Sequence, residues 1–152
     1  MTKDSLKIIV VLLIYAVAMA LVEAAVVVYL RELYYPAGFF IRSAADLQVI
    51  PWRTLRVELW REAATLVMLA AVSFLAFNRL KEKLWAFVWS FSVWDLAYYL
   101  FLYIFIKWPS SLGTIDVYFL IPWPWIGPVW FPLALFGILG AISFWKLLQS
   151  AK

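Results

Sequence analysis

The sequence predicts an all-α integral membrane protein built as a bundle of four transmembrane helices. Three observations carry this expectation. Of the 152 residues, 67% are hydrophobic and only 14% are charged, a balance foreign to a soluble domain. Four apolar segments, at about 6–30, 57–77, 84–106 and 129–148, match the roughly 20 residues needed to cross a hydrocarbon core. Polar or proline-rich stretches separate them, and no internal repeat is visible. A single membrane domain over 1–152 follows.

The first segment is too long for the apolar core of a signal peptide and runs into Tyr29, Leu30, Arg31 and Glu32, so it reads as a retained span. Residues 31–56 mix Arg31, Glu32, Arg42, Asp46, Arg53 and Arg56 with aromatics, Pro36, Gly38 and Pro51, which suits an interfacial segment. The second span closes at Asn78, Arg79, Lys81, Glu82 and Lys83, and the third at Lys107, Trp108 and Pro109. Residues 107–128 contain Pro109, Gly113, Pro122, Pro124, Gly127 and Pro128, so they cannot form one regular helix. They are also too apolar to float in water. A cap or re-entrant segment covered by protein is expected there. Pro132 falls near the start of the fourth span, where a helix tolerates proline.

Small residues suit close helix contact: Ala16, Ala20 and Ala24 on the first span, Gly137 and Gly140 on the fourth. Most tryptophans, including Trp52, Trp60, Trp108, Trp123, Trp125 and Trp130, fall where an interfacial belt belongs. Trp89 and Trp94 sit deeper and can wall a pocket, though packing against neighbouring helices is the favoured reading. Lys3, Lys7, Arg79, Lys81, Lys83, Lys146 and Lys152 share one side, in short tails and a tight loop. The positive-inside tendency therefore places both termini in the cytoplasm of a cell-membrane protein.

Function is best sought at Glu23, Glu62 and Asp95. A carboxylate at the centre of a lipid-embedded helix costs roughly 2.5–3.5 kcal/mol on insertion scales, so it survives by facing protein, partners or a ligand. Glu23 lies seven residues from the end of its span, a depth of about 10 Å at 1.5 Å per residue. Asp95 is eleven residues from either end of the third span, near mid-membrane. Arg31, Glu58, Arg61, Lys107 and Asp116 should stand at or above this level on the same side. Thr54, Glu58, Glu62, Thr65 and Ser73 share one helical face, as do Asp95, Tyr98, Tyr99 and Leu102. An outward-facing polar pocket with Asp95 at its floor follows.

Chemistry is narrowed by what is missing. With neither cysteine nor histidine, thiolate and imidazole catalysis, haem ligation by those residues and Cys/His-ligated metals are excluded. The 13 Lys and Arg are scattered, which argues against nucleic acid. Asp95, Glu62 and Glu23 are the candidate acid–base residues. Arg31, Glu58, Arg61, Tyr98, Tyr99, Lys107 and Asp116 are the candidate ligand contacts. Oxygen ligands of this kind can also hold Mg²⁺ or Ca²⁺. Expected partners are membrane lipids and a small or lipid-like ligand, with a homo-oligomer or a partner membrane subunit also open.

The stretches Glu23–Arg31, Arg61–Leu66, Trp94–Tyr99 and Asp116–Pro128 resemble those of small prokaryotic four-helix integral membrane proteins. That resemblance implies one shared polar site and no particular activity. The leading functional expectation is ligand binding in the pocket, with or without catalysis. An accessory subunit of a larger membrane complex and an ion or proton translocator are the alternatives. The translocator is disfavoured because the inner halves of the spans lack ionisable residues.

Overall fold

In the computed structural model, which describes residues 3–150, four long helices account for most of the chain. They are α1 (Lys3–Tyr34), α2 (Trp52–Ala76), α3 (Leu80–Ile106) and α4 (Trp130–Ser150). Each is long and apolar enough to cross a membrane. Three differ from the sequence expectation by several residues at a boundary. α3 starts at Leu80, α1 continues four residues past Leu30, and α2 starts at Trp52, so helix ends take both flanks of the expected interfacial segment 31–56. What remains is a turn at Tyr35–Gly38 and a 3₁₀ segment, Ala44–Val49. The Asp46 carboxylate fixes the start of that segment by accepting the Arg42 and Ser43 N–H groups at 2.7 and 2.9 Å. These backbone donors hold its carboxyl below the usual aspartate range.

The second departure is a β-hairpin within residues 107–128, so the chain is not wholly α-helical. β1 (Ile115–Phe119) pairs antiparallel with β2 (Trp125–Pro128), Asp116 opposite Gly127 and Val117 opposite Ile126. The prolines prevent a helix but leave the strand hydrogen bonds intact, because Pro122 and Pro124 sit in the connection and Pro128 at a strand end. Gly127 has no side chain, which lets the Tyr118 ring lie over it. From there the Tyr118 hydroxyl donates to the Pro128 carbonyl at 2.6 Å.

α3 is the central helix, packed on α1, α2 and α4. The contact with α1 is lined by small residues one turn apart: Ala16, Ala20 and Ala24 are fully buried. Van der Waals contact and backbone proximity hold these helices, since large apolar side chains such as Ile14, Val67, Leu75 and Ile138 point outward. On α4, Gly140 meets α3 so closely that an added Cβ would lie 3.2 Å from the Ser92 Cβ. Gly137 meets nothing, so only one of the two expected glycines serves a helix contact. Ser73 of α2 donates to Ser90 of α3 at 3.4 Å.

The chain direction sorts the ends. Starts of α1 and α3 and ends of α2 and α4 gather around Ile9, Leu12, Ala86 and Leu147, an apolar cluster with Phe77 and Phe144 against it. The opposite end carries the hairpin, the 3₁₀ segment and the polar residues. Lys3, Lys7, Arg79, Lys81, Lys83 and Lys146 belong to the apolar-plugged end, while Lys152 lies outside the described residues. Replacing Ala20 with leucine is expected to push α1 from α3 and cost about 1–3 kcal/mol. Thermal unfolding in detergent checks this, and an unchanged midpoint contradicts the close-packing account.

Candidate functional site

Helices α1, α2 and α3 contribute to a cavity at the polar end, each through the face its periodicity presents. On α2 the buried residues are Glu58, Glu62, Thr65, Leu69 and Ser73, spaced by three and four. On α3 Asp95, Tyr99 and Leu102 are buried on one face, with Tyr98 beside them. α1 brings Glu23, Val27 and Arg31; the hairpin brings Asp116, Val117, Tyr118 and Leu120. Tyr35, Phe39, Leu47 and Ile50 complete the wall. The cavity offers about 110 Å³ to the centres of water-sized groups, against roughly 10–15 Å³ for a single water. It can therefore hold more than an isolated solvent molecule.

Nine of the ten expected site residues line this cavity: Glu23, Arg31, Glu58, Arg61, Glu62, Asp95, Tyr98, Tyr99 and Asp116. Lys107 does not. It is the exposed C-cap of α3, with φ 53°, and its ammonium lies 5.2 Å from the Tyr103 ring centre. A left-handed cap reverses the chain at that point and carries the lysine away from the interior. Trp94 lines the cavity, the less favoured of its two readings, whereas Trp89 packs on Phe144 outside it.

Two charge networks organise the walls. Arg61 joins Glu23 of α1 to Glu58 of its own helix, the latter at 2.8 Å, and Thr65 adds a 3.4 Å bond to Glu23. Arg31 donates to Asp116 at 3.0 Å, and Tyr99 donates to the other carboxylate oxygen at 3.0 Å. Burial pushes the Asp116 carboxyl up, while Arg31, the Val117 N–H and the Tyr99 hydroxyl pull it back. Tyr118, beside these acids, is pushed up to about 12 by burial and by the charges of Asp116 and Asp95.

The Arg31 guanidinium also lies in the corner of two rings, 4.0 Å from the Phe39 ring centre and 3.8 Å from that of Trp108, the rings meeting edge-on at 77°. Both aromatics follow a residue with positive φ: Gly38 at 111° precedes Phe39, and Lys107 at 53° precedes Trp108. At Gly38 a Cβ would come within 2.7 Å of the Phe40 ring, so a side chain there is strained twice over. Sequence reasoning placed Trp108 in an interfacial belt and gave Phe39 no role. No motif marks either as an arginine partner, because the pairing depends on two backbone reversals far apart in the chain.

Glu62 has a different task from the other acids. Both of its carboxylate oxygens lie 3.0 Å from the Leu120 N–H, just past the end of β1. The helix thereby satisfies a hairpin donor that the strand ladder leaves free.

Asp95 stands apart. It is 7% exposed, and its Oδ2 is buried with no hydrogen-bond partner. Around it Trp94 stacks on Tyr98 at 6.4 Å, Tyr98 meets Tyr99 edge-on at 5.1 Å, and Tyr99 stacks on Trp108 at 6.4 Å. An aromatic wall thus runs from the floor to Arg31. The Trp94 Nε1 and the Arg31 Nε and Nη1 are likewise buried without acceptors. Among the described residues no three carboxylates come close enough together to hold a metal ion, which leaves the Mg²⁺ or Ca²⁺ expectation without a ligand set.

Comparison with known proteins adds no further identity: no protein-family model, curated protein or solved structure matches the chain. Two outcomes are expected of the networks. Arg31→Ala strands Asp116 and should cost about 3–5 kcal/mol, whereas Arg31→Lys should recover only part because an ammonium lacks the planar group that packs on an aromatic ring. Denaturation in detergent micelles measures both, and full recovery by lysine would discount the aromatic contacts. Glu62→Ala should speed amide hydrogen exchange at Leu120 without melting α2. Unchanged exchange there would remove the latch.

Proposed function

We propose that this chain is a four-helix integral membrane protein that binds a small amphipathic, lipid-like molecule in its polar cavity. Asp95 carries the reading. Every other acid lining the cavity is engaged by arginine or by a backbone N–H, while Asp95 keeps a buried oxygen without a partner. It lies midway along α3, so with the helices across a bilayer it sits near the midplane. An unpartnered polar atom there costs several kcal/mol unless an occupant completes it. The cavity's apolar lining, including Val27, Leu30, Leu55 and Val117, suits the hydrocarbon portion of such an occupant.

The remaining classes fit less well. Acid–base work shared among Asp95, Glu62 and Glu23 is disfavoured, since Glu23 and Glu58 share Arg61 and Glu62 holds the hairpin. A translocation path would have to pass the Ile9, Leu12, Ala86 and Leu147 cluster, which contains no titratable group. The accessory-subunit reading has no particular contact surface in its favour. In the proposed orientation the cavity opens outward from the cell membrane, the hairpin caps it, and both termini are cytoplasmic.

Native mass spectrometry of protein released from native nanodiscs tests the binding. The wild type should retain a non-protein adduct of lipid-like mass that cavity-filling Val27→Trp loses. An adduct-free wild type, or identical adducts on both proteins, rejects the reading. Orientation is checked separately by thiol labelling of intact cells. Ser43→Cys should label from outside and Asn78→Cys should not, and the reverse pattern inverts the topology.

A further inference from the structure

Resting on the binding reading above, we infer that the occupant carries an organic ammonium group, seated on Asp95 against the Trp94, Tyr98 and Tyr99 rings. The cavity's own charge count points this way. Five carboxyl groups but only two guanidiniums line it, so acids exceed fixed cations by three. Arg31 is committed to Asp116, and Arg61 is divided between Glu23 and Glu58. No arginine is left for Asp95, and Lys107 points elsewhere. A buried acid excess is neutralised either by protons or by a positive charge brought in from outside.

The surroundings favour an organic cation over a metal ion. Small hard cations need several converging oxygen ligands, and no three carboxylates converge among the described residues. Asp95 is instead one acid beside a run of aromatic rings, Trp94 on Tyr98 and Tyr98 on Tyr99. Ring faces and a single carboxylate recognise alkylammonium groups, because the quadrupoles attract the diffuse charge while the apolar edges tolerate its carbons. Arg31 sets the opposite boundary. Its positive charge lies at the far end of the same wall, which directs an ammonium away from Asp116 and toward the floor.

Photolabelling in nanodiscs with three phenyl-diazirine probes of equal size tests this, their heads being trimethylammonium, tert-butyl and sulfonate. The ammonium probe should label cavity peptides at about a tenfold lower concentration than its uncharged isostere, the range expected of one carboxylate with aromatic faces. That preference should vanish in Asp95→Asn and survive in Asp95→Glu. Equal labelling by the ammonium and tert-butyl probes, or a preference for sulfonate, overturns the charge assignment and leaves a cavity that binds amphiphiles. Persistence of the preference in folded Asp95→Asn overturns the assignment to Asp95. Cavity labelling by none of the three overturns the binding reading itself. If Asp95→Asn fails to insert, the three-probe comparison on the wild type decides the question alone.

Discussion

The Arg31–Asp116 pair is the contact on which the polar end depends. Among the described residues it is the one ion pair joining a long helix to the hairpin, and both partners are almost wholly removed from solvent. Two desolvated charges repay their cost only when geometry is good and further contacts support them. Here Tyr99 takes the second Asp116 oxygen, and Phe39 and Trp108 pack against the guanidinium. α1, α3, the hairpin and the 35–39 turn therefore meet at one residue. That convergence fixes the spacing of these walls, and the Arg61–Glu23 and Glu62–Leu120 contacts tie α2 to them.

On the proposed membrane reading, the remainder of the fold follows the logic of a chain whose surroundings are as apolar as its own side chains. Burying leucine gains little in such a setting, so the inward faces are given to alanine, serine and glycine, and to acids and arginines that cannot face hydrocarbon. Ala16, Ala20 and Ala24 bring backbones together, while Ser73 and Ser90 bridge α2 to α3. Polarity is then graded along the axis. The end around Leu12 and Leu147 is sealed by hydrocarbon, and the buried charged residues are confined to the other.

Much of this was legible in the amino-acid order. Periodicity of three and four put Glu58, Glu62, Thr65 and Ser73 on one buried face, and depth counting set Glu23 and Glu62 on the outer side of a pocket with Asp95 at its floor. The hairpin was less visible. Prolines and glycines excluded a helix over 107–128, but strand pairing depends on a register between Asp116 and Gly127 that neither segment specifies alone. Lys107 was misplaced because it was grouped with the site by its level at the end of the third span, whereas its left-handed backbone turns it away. Partner choice was also out of reach: Arg61 rather than Arg31 meets Glu23, since two arginines at similar depth differ only in helix rotation. Glu62 looked like its fellow acids, and only the folded hairpin shows that it holds a backbone amide.

The two positive-φ residues have a wider consequence. Gly38 and Lys107 each aim the ring that follows them, so the orientation of the arginine's aromatic cover is encoded in main-chain torsions rather than in side-chain rotamers. That makes the local dielectric around Arg31 a property of two loops. Divergence at position 38 or 107, neither of which touches the acid pair, can retune the field inside the cavity while every charged side chain stays in place. Electrostatic character and charge inventory are thereby separable in this architecture, and the loops offer a route by which one scaffold could alter its affinity for an occupant.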